Sequence, residues 1–481
     1  MADVWSYFAN EGDYPDLGEG ALAERLAAAL AIPTVDGRTA DETDWTQFER
    51  LVSLFRENYP RVFAAASEER VDHSLVLTIS GSDPSLDPVV FMGHMDVVPV
   101  VEGTEGDWDH GPFSGDIADG YVWGRGALDM KDQVVGELEA AEYALSHGWE
   151  LRRTLMLCLG QDEEASQTGA RAIGRMLKER GTRVEFLVDE GDYLVADTAL
   201  YGVPGHHGLR VNLAEKGYAD VRLTVRGEGG HSSNPFGGTT LAILAEAISR
   251  VANDPWPVEL TELDRQMLAA VAPWITSGPL APLVSPRPGE THRDAIDRNA
   301  DGIAQAFLRD ADLFPFVTTT VAPTMIEGGS QQANVMPQDM TATINFRMLP
   351  GVGCDRVLSR VRELVADLPV EVELLEDVSN DPSKTSRSDG WGFKVLERVA
   401  ARYFREPGGG EPLALIPAMV CGASDARMYE GVCDSCLRFS AFVADDEEVA
   451  RGVHGTNERI TTRAYAQGVR FMIGVIREAL L

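Results

Sequence analysis

Cations are scarce in this chain. Its 481 residues carry 42 Lys+Arg against 76 Asp+Glu, a formal net charge of −34 at pH 7. That balance argues against nucleic acid or an anionic membrane as a partner, because both call for a basic face. Most of the acids read as solvated surface, so the charge names no substrate. Cysteine is rarer still: five residues in the whole chain, too few for a disulfide framework. The one close pair, Cys433-Asp-Ser-Cys436, has no second Cys or His pair beside it and reads as two half-buried strand cysteines. No apolar run is long enough to span a bilayer, and Met1–Asn10 lacks the basic-then-apolar pattern of a leader. The expected compartment is the cytoplasm. Internal repeats and low-complexity tracts are missing too.

What remains is the composition of a soluble globular protein, 44% hydrophobic and 25% charged. The length exceeds one ordinary core, so two domains are expected, with room for a third. Leu22, Leu26, Ala29 and Leu30 share a helical face that Pro33 ends. From Ser74 to Leu200, short apolar runs alternate with amphipathic stretches such as Gln133–His147 and Ala170–Arg180. This predicts an α/β catalytic domain with a mostly parallel central sheet flanked by helices. The pattern changes near Lys216. Tyr218–Arg226, Thr318–Met325 and Met340–Arg347 alternate with period two, helices are expected at Thr239–Val251 and Arg356–Leu368, and another strand at Val370–Leu375. That β-α-β-β-α-β order predicts an inserted α+β lid with a four-stranded antiparallel sheet and one open face. Ser379–Asp389 is polar and reads as a hinge. The expected organisation is catalytic domain 1–215, lid 216–379, catalytic domain again 380–481.

Acidic and histidine residues stand at the ends of the apolar runs. Val-Val-Phe-Met-Gly-His-Met-Asp presents His94 and Asp96; Trp-Gly-Arg-Gly-Ala-Leu-Asp-Met-Lys presents Asp129; Leu-Cys-Leu-Gly-Gln-Asp-Glu-Glu presents Glu163 and Glu164; Phe-Leu-Val-Asp-Glu-Gly presents Glu190. Histidines and carboxylates at the carboxyl ends of strands suit a two-metal hydrolytic site. Each has a plainer reading alone. His94 paired with Asp96 could be structural, Asp129 could cap the following helix, and Glu163-Glu164 or Asp189–Asp192 could be exposed acidic turns. Their joint placement after strand-like runs favours the metal site.

In order, His-x-Asp-Val-Val-Pro, Trp-Gly-Arg-Gly-x-x-Asp-Met-Lys, Asp-Glu-Glu, Asp-Glu-Gly, Gly-Gly-His-Ser-Ser and His-Gly-x-Asn-Glu-Arg-Ile resemble the M20 family of dinuclear zinc peptidases and amidohydrolases. The chain is most similar to its branch of carboxypeptidase S and the N-acyl-amino-acid hydrolases. The resemblance runs from about Phe91 to Ile460. It implies two divalent metal ions, most suited to zinc, with cobalt or manganese acceptable to the same nitrogen and carboxylate ligands. His94, Asp129 and Glu190 would bind one, and Asp129, Glu164 and His454 the other, with Asp129 bridging. Asp96 would stand behind His94 and fix its tautomer. Glu163 would be the general base, taking a proton from a metal-bridging water.

The resemblance also assigns the substrate side. His231, in a glycine-flanked turn of the lid, would donate to the oxyanion, often in a partner subunit's site. Asn334 and Arg347 would hold the substrate's carboxylate, and Ser424 would stand in the family's Gly-Gly-Thr-Asp loop, here Gly422-Ala-Ser-Asp425. Ala165-Ser166 and Ala423 replace usual glycines, which affects substrate shape more than chemistry. Trp256–Asp312 looks like the longer lid of the carboxypeptidase S branch. The expected reaction is hydrolysis of an amide beside a free carboxylate in a short peptide, as by a dipeptidase or carboxypeptidase. The alternatives are an aminoacylase acting on N-acyl amino acids and, from another class, a non-catalytic metal-dependent binding protein. A homodimer through the lid is a further arrangement the resemblance implies, unless the long insertion prevents it.

Overall fold

The computed structural model describes residues 3–37, 42–198, 205–445 and 447–481. Met1, at the head of the segment read for a leader, and Leu200, at the end of the α/β stretch, lie outside them. An antiparallel pair, β1 (Ala66–Val71) and β2 (Ser74–Ile79), opens the first sheet. It continues through β3 (Val89–His94), β4 (Leu155–Gly160), β5 (Phe186–Asp189), a two-residue β6 (Ala196–Asp197) and β7 (His207–Glu215). At Lys216 the chain leaves this sheet and builds a second from β8 (Gly217–Val225), β9 (Thr320–Gly328), β10 (Met340–Met348) and β11 (Glu371–Leu374). It then returns with β12 (Ala414–Val420) and β13 (Cys436–Arg438).

The large sheet has nine strands, ordered β1-β2-β4-β3-β5-β13-β7-β12 with β6 beside β7. The run β4-β3-β5-β13 is parallel throughout, as is the pair β7-β12. Every residue of β3 and β4 is buried, as expected of strands covered on both faces. Their period of two divides the core. Val89, Phe91, Leu155 and Leu157 pack with the helices Glu19–Leu30, Lys131–Ser146 and Thr462–Leu480. Val90, Met92, Met156 and Cys158 face the other way, toward Ile173 and Leu177 of the helix Thr168–Glu179. Cys433 and Cys436 join this second layer and are fully buried rather than half-buried, because the helix closes over them. Among the described residues, no helix is long and apolar enough to cross a membrane.

The small sheet is antiparallel in the order β9-β10-β8-β11. One face (Val221, Leu223, Ile344, Phe346) packs under the helices Thr240–Ala252 and Cys354–Leu364. The other carries Tyr218, Arg222, Thr224, Asn345 and Arg347 and is open to solvent in part. The stretch Trp256–Asp312 departs from its expected place in the lid. Its helices form their own apolar cluster with Leu268, Val271, Ile303 and Phe307, and that cluster includes Ile416 of β12. It therefore covers the edge strand of the large sheet, where unpaired backbone would otherwise be exposed. Where the chain crosses between sheets, Lys216 is buried and its Nζ donates to the Pro315 and Thr318 carbonyls at 2.6 and 3.0 Å. The returning strand lies alongside: Glu215 N donates to Ser383 Oγ at 2.7 Å, and Tyr218 and Asn380 exchange backbone hydrogen bonds.

Below the carboxyl edge of the large sheet, the helices Lys131–Ser146 and Thr462–Leu480 clasp Phe442 between two glycines. A Cβ on Gly136 would fall 2.2 Å from the ring, and one on Gly468 2.3 Å. No ring shift relieves both contacts at once. Gly468→Ala is expected to cost about 1–3 kcal/mol through overpacking, measured by denaturant unfolding, and Phe442→Leu in the same chain should recover part of that loss.

Candidate metal centre

The buried parallel strands stop at one sheet edge, where ligands of α/β sheets gather. His94 is the last residue of β3, Glu163 and Glu164 stand in the turn after β4, and Glu190 follows the last residue of β5. Register sets their heights, since His94 lies opposite Gly160 and Phe91 opposite Val188. Asp129 comes from the turn before the helix Lys131–Ser146, and His454 from a turn far along the chain with φ +57°.

Two trios bring their ligand atoms within 4.8 Å of one another: His94, Asp129 and Glu190, and Asp129, Glu164 and His454. Asp129 is common to both. His94 Nε2 lies 3.1 Å from Asp129 Oδ1, while His454 Nε2 lies 3.1 Å from Oδ2 and 3.0 Å from Glu164 Oε2. A carboxylate with one imidazole on each oxygen is arranged as a bridge. The capping alternative for Asp129 does not hold, since the helix that follows has no side-chain cap.

Asp96 stands behind His94, in contact with its Nδ1. The nearest partner of His94 Nδ1 is the Asp96 backbone carbonyl at 3.1 Å, with the carboxylate at 3.4 Å. The Asp96 carboxylate also accepts from the backbone N–H groups of Glu163 and Glu164, at 3.2 and 3.0 Å. It therefore holds the turn that carries both glutamates. Asp162 secures the other side of that turn, accepting from Ser166 Oγ and from the N–H groups of Thr168 and Gly169. Gln167 Nε2 donates to Glu163 Oε1 at 2.8 Å and orients its carboxyl group.

Five carboxylates here (Asp96, Asp129, Glu163, Glu164, Glu190) face two imidazoles. Burial pushes the Glu163 carboxyl up to about 8; Glu164 and Asp129 add to the shift and His94 opposes it. Burial also holds Glu190 and the neighbouring Asp425 well above the usual carboxylate range. For Asp129 burial is outweighed by the hydrogen bonds from His454 and His94, which keep it ionised, and the bonds to Asp129 and Glu164 raise His454 to about 10. The cluster thus draws positive charge from whatever source it has. Its nitrogen and oxygen donors, without thiolate, fit zinc, cobalt or manganese.

On the substrate side, His231 and Asn334 share one short ladder of the lid, which pairs Gly230–His231 with Val335–Met336 and joins Ser232 N to the Asn334 carbonyl at 3.0 Å. Both are exposed, and His231 belongs to neither trio. Its Nδ1 lies 2.8 Å from Ser233 Oγ. The nearby helix is capped by Thr239, so His231 is not needed there. Arg347 spans the two sheets: its guanidinium lies over the Tyr218 ring and donates to the Cys421 carbonyl at 2.9 Å. Ser424 is a correction. Its hydroxyl is buried, donating to Glu215 at 2.9 Å and accepting from Arg438 Nε at 3.0 Å, so it faces an internal ion pair rather than the open site. Glu215, Arg438, Arg125 and the acid of Asn457-Glu458-Arg459 had no assigned role from the sequence. Arg125 and Glu458 stand in motif segments, which hinted at a role; Glu215 and Arg438 stand in none.

The family model for peptidase family M20/M25/M40 matches residues 90–478. The N-fatty-acyl-amino acid synthase/hydrolase PM20D1 of Homo sapiens is 32% identical over 476 residues, covering 95% of this chain and 88% of that protein. Carboxypeptidase S of Saccharomyces cerevisiae is 27% identical and covers 93% and 82%. The solved M20 family metallo-carboxypeptidase Sso-CP2 of Sulfolobus solfataricus gives a TM-score of 0.65 at 17% identity, over 94% of this chain and 97% of that one. Human carnosine dipeptidase 1 gives 0.60 at 17%, over 97% and 98%. Both solved structures share the fold.

The Asp96 geometry has a direct consequence. An amide at position 96 offers one acceptor oxygen to two N–H donors and turns an NH2 toward the other. Asp96→Asn is expected to lower kcat about 10–100-fold, the range seen when groups behind metal ligands are changed, while the His94 contact to the residue-96 carbonyl persists in a crystal structure of the variant.

Proposed function

The chain belongs to peptidase family M20/M25/M40, a family of metal-dependent hydrolases, and we propose that it hydrolyses an amide beside a free carboxylate using two divalent cations. The observation that carries this reading is Asp129 with His94 on one oxygen and His454 on the other, next to a half-buried Glu163. One cation would be held by His94, Asp129 and Glu190, and the other by Asp129, Glu164 and His454. Bound there, the cations would polarise the scissile carbonyl and make water acidic enough to lose a proton near neutral pH. Glu163 takes the proton of the attacking water and passes it to the leaving nitrogen, its carboxyl oriented for this by the hydrogen bond from Gln167. His231 donates to the oxyanion when the lid meets the site, and Arg347 with Asn334 holds the substrate carboxylate.

On the acyl side we favour a short peptide, as for a dipeptidase or carboxypeptidase. A second reading, hydrolysis of N-acyl amino acids, is favoured by the 32% identity to a protein named as an N-fatty-acyl-amino acid synthase/hydrolase over 95% of this chain. Domain limits at 1–215, 216–379 (its helices after Trp256 packed on the catalytic sheet) and 380–481, and a cytoplasmic setting, belong to the same proposal. So does a homodimer through the lid, supported by the edge strand β9 with Met325 and Ile326 exposed at 55% and 59%. An open edge can pair with its own copy about a two-fold axis.

Glu163→Ala should lower turnover by about 10²–10⁴-fold, as loss of a general base does, with bound metal unchanged by mass spectrometry. Unaltered turnover would end this mechanism. A mixed library of dipeptides and N-acyl amino acids decides the substrate: cleavage of free-amine dipeptides alone supports the first reading, and cleavage of blocked substrates alone the second. A charge on the edge strand, Ile326→Lys, is expected to shift light scattering from dimer to monomer; an unshifted dimer would place the interface elsewhere.

A further inference from the structure

Two of the candidate ligands, His94 and Glu190, stand at strand ends whose register fixes them, and Glu164 stands in the turn that Asp96 and Asp162 hold against the neighbouring strand end. Asp129 and His454 do neither. Each sits in a turn, and the two turns lie more than 300 residues apart in sequence. Where the turns meet, a buried ion pair joins them: Arg125 (2% exposed) donates through Nη1 to Glu458 Oε2 (0% exposed) at 2.7 Å.

The pair is reciprocal. Arg125 belongs to the turn of Asp129 and reaches into the turn of His454, donating to the Gly452 and Gly455 carbonyls at 3.3 and 2.7 Å. Glu458 belongs to the segment of His454 and reaches back. Its Oε2 accepts from Gly126 N at 3.1 Å, and its Oε1 accepts from Leu128 N at 2.8 Å and Asp129 N at 3.1 Å. The indole of Trp108 lies 5.4 Å from the Arg125 guanidinium, and Asn457 and Asp109 exchange hydrogen bonds just outside. A buried ion pair is poor value for stability alone, since apolar packing of equal volume does as well. What apolar packing cannot do is fix five backbone groups of two turns at hydrogen-bond distances.

We propose that Arg125 and Glu458 are positioning residues that set the separation of Asp129 from His454, and so the affinity of the second metal position. This rests on the ligand sets proposed above. The effect is selective by construction: two of the three ligands of the second position hang on the clasp, against one of three for the first. Arginine is required rather than any cation, because only its planar fork reaches a carboxylate and two carbonyls together.

Chelator-stripped protein titrated with cobalt or zinc tests this, with the cobalt absorption bands and calorimetry as readouts. Arg125→Lys and Glu458→Gln should weaken the second binding step about 10–100-fold and leave the first step as in the unaltered chain. Arg25→Lys is the control, since Arg25 and the buried Glu139 form an ion pair between two helices of the core; it should lower stability and move neither step. Unchanged binding in both variants, equal weakening of both steps, or the same effect from Arg25→Lys overturns the proposal. Hydrogen exchange on the unaltered protein tests it without any variant: the amides of Gly126, Leu128 and Asp129 should be protected before metal is added, and free exchange there would also overturn it. If the unaltered protein takes up fewer than two metals at saturation, the ligand assignment itself fails, which is a separate result.

Discussion

Crowding several largely desolvated carboxylates at one sheet edge is the constraint around which this molecule is arranged. A desolvated carboxylate is costly unless it meets donors or positive charge, and here Glu163 and Glu164 beyond β4, Glu190 beyond β5 and Asp129 in the turn before the helix Lys131–Ser146 converge. Two imidazoles on opposite oxygens keep Asp129 ionised, whereas Glu163 and Glu190 are pushed toward the protonated form. The surrounding backbone is spent on the same problem: the N–H groups of residues 163 and 164 point to Asp96, and those of 126, 128 and 129 to Glu458. Cations in place of protons would complete the balance. A fold with only a structural use for this edge would have no reason to carry so many acids there.

The sheet that creates this edge was readable because its strands are buried on both faces and so appear as continuous apolar runs ending in a polar residue. The same feature made His94, Glu164 and Glu190 visible as a group. The lid was readable for the opposite reason, since Gly217–Val225 alternates strictly between the packed face and the open one. Roles that depend on orientation were not readable. Nothing in His-x-Asp tells whether the carboxylate or the carbonyl of Asp96 meets the ring, because both lie two residues from it. Ser424 was misassigned since its true partner, Glu215, lies 209 residues earlier in the chain. The helices after Trp256 follow the lid strand in sequence, but their apolar faces are completed by Ile416, which only the folded chain brings near.

The joint between the two sheets repeats the logic of the metal edge. Glu215, the last residue of β7, is buried and paired with Arg438 of β13, and Ser424 bonds to both. The next residue, Lys216, is buried as well and is held by two carbonyls of the segment that leads into β9. Charged side chains thus fix the main chain on both sides of the crossing point. Arg438 also lies in register with Asp189, whose carboxylate accepts from Ala426 N, and Asp189 immediately precedes Glu190. The crossing point, the loop carrying Cys421–Asp425 and one of the candidate ligands therefore belong to a single hydrogen-bonded block.

That block bears on how the lid can contribute. His231 and Asn334 sit on the open, solvent-facing part of the lid, while Arg347 already reaches across to the Cys421 carbonyl. Motion of the lid about residues 215–218 and 380–383 would carry His231 and Asn334 through a long arc but leave Arg347, near the joint, almost in place. Under the proposed function, an arginine close to the axis would bind the substrate carboxylate first, with the imidazole arriving as the lid closes. The order follows from lever arms alone. Under the proposed function, carboxylate recognition would be the entry step, and His231, exposed beside Ser233, would meet the oxyanion only after the carboxylate end is held.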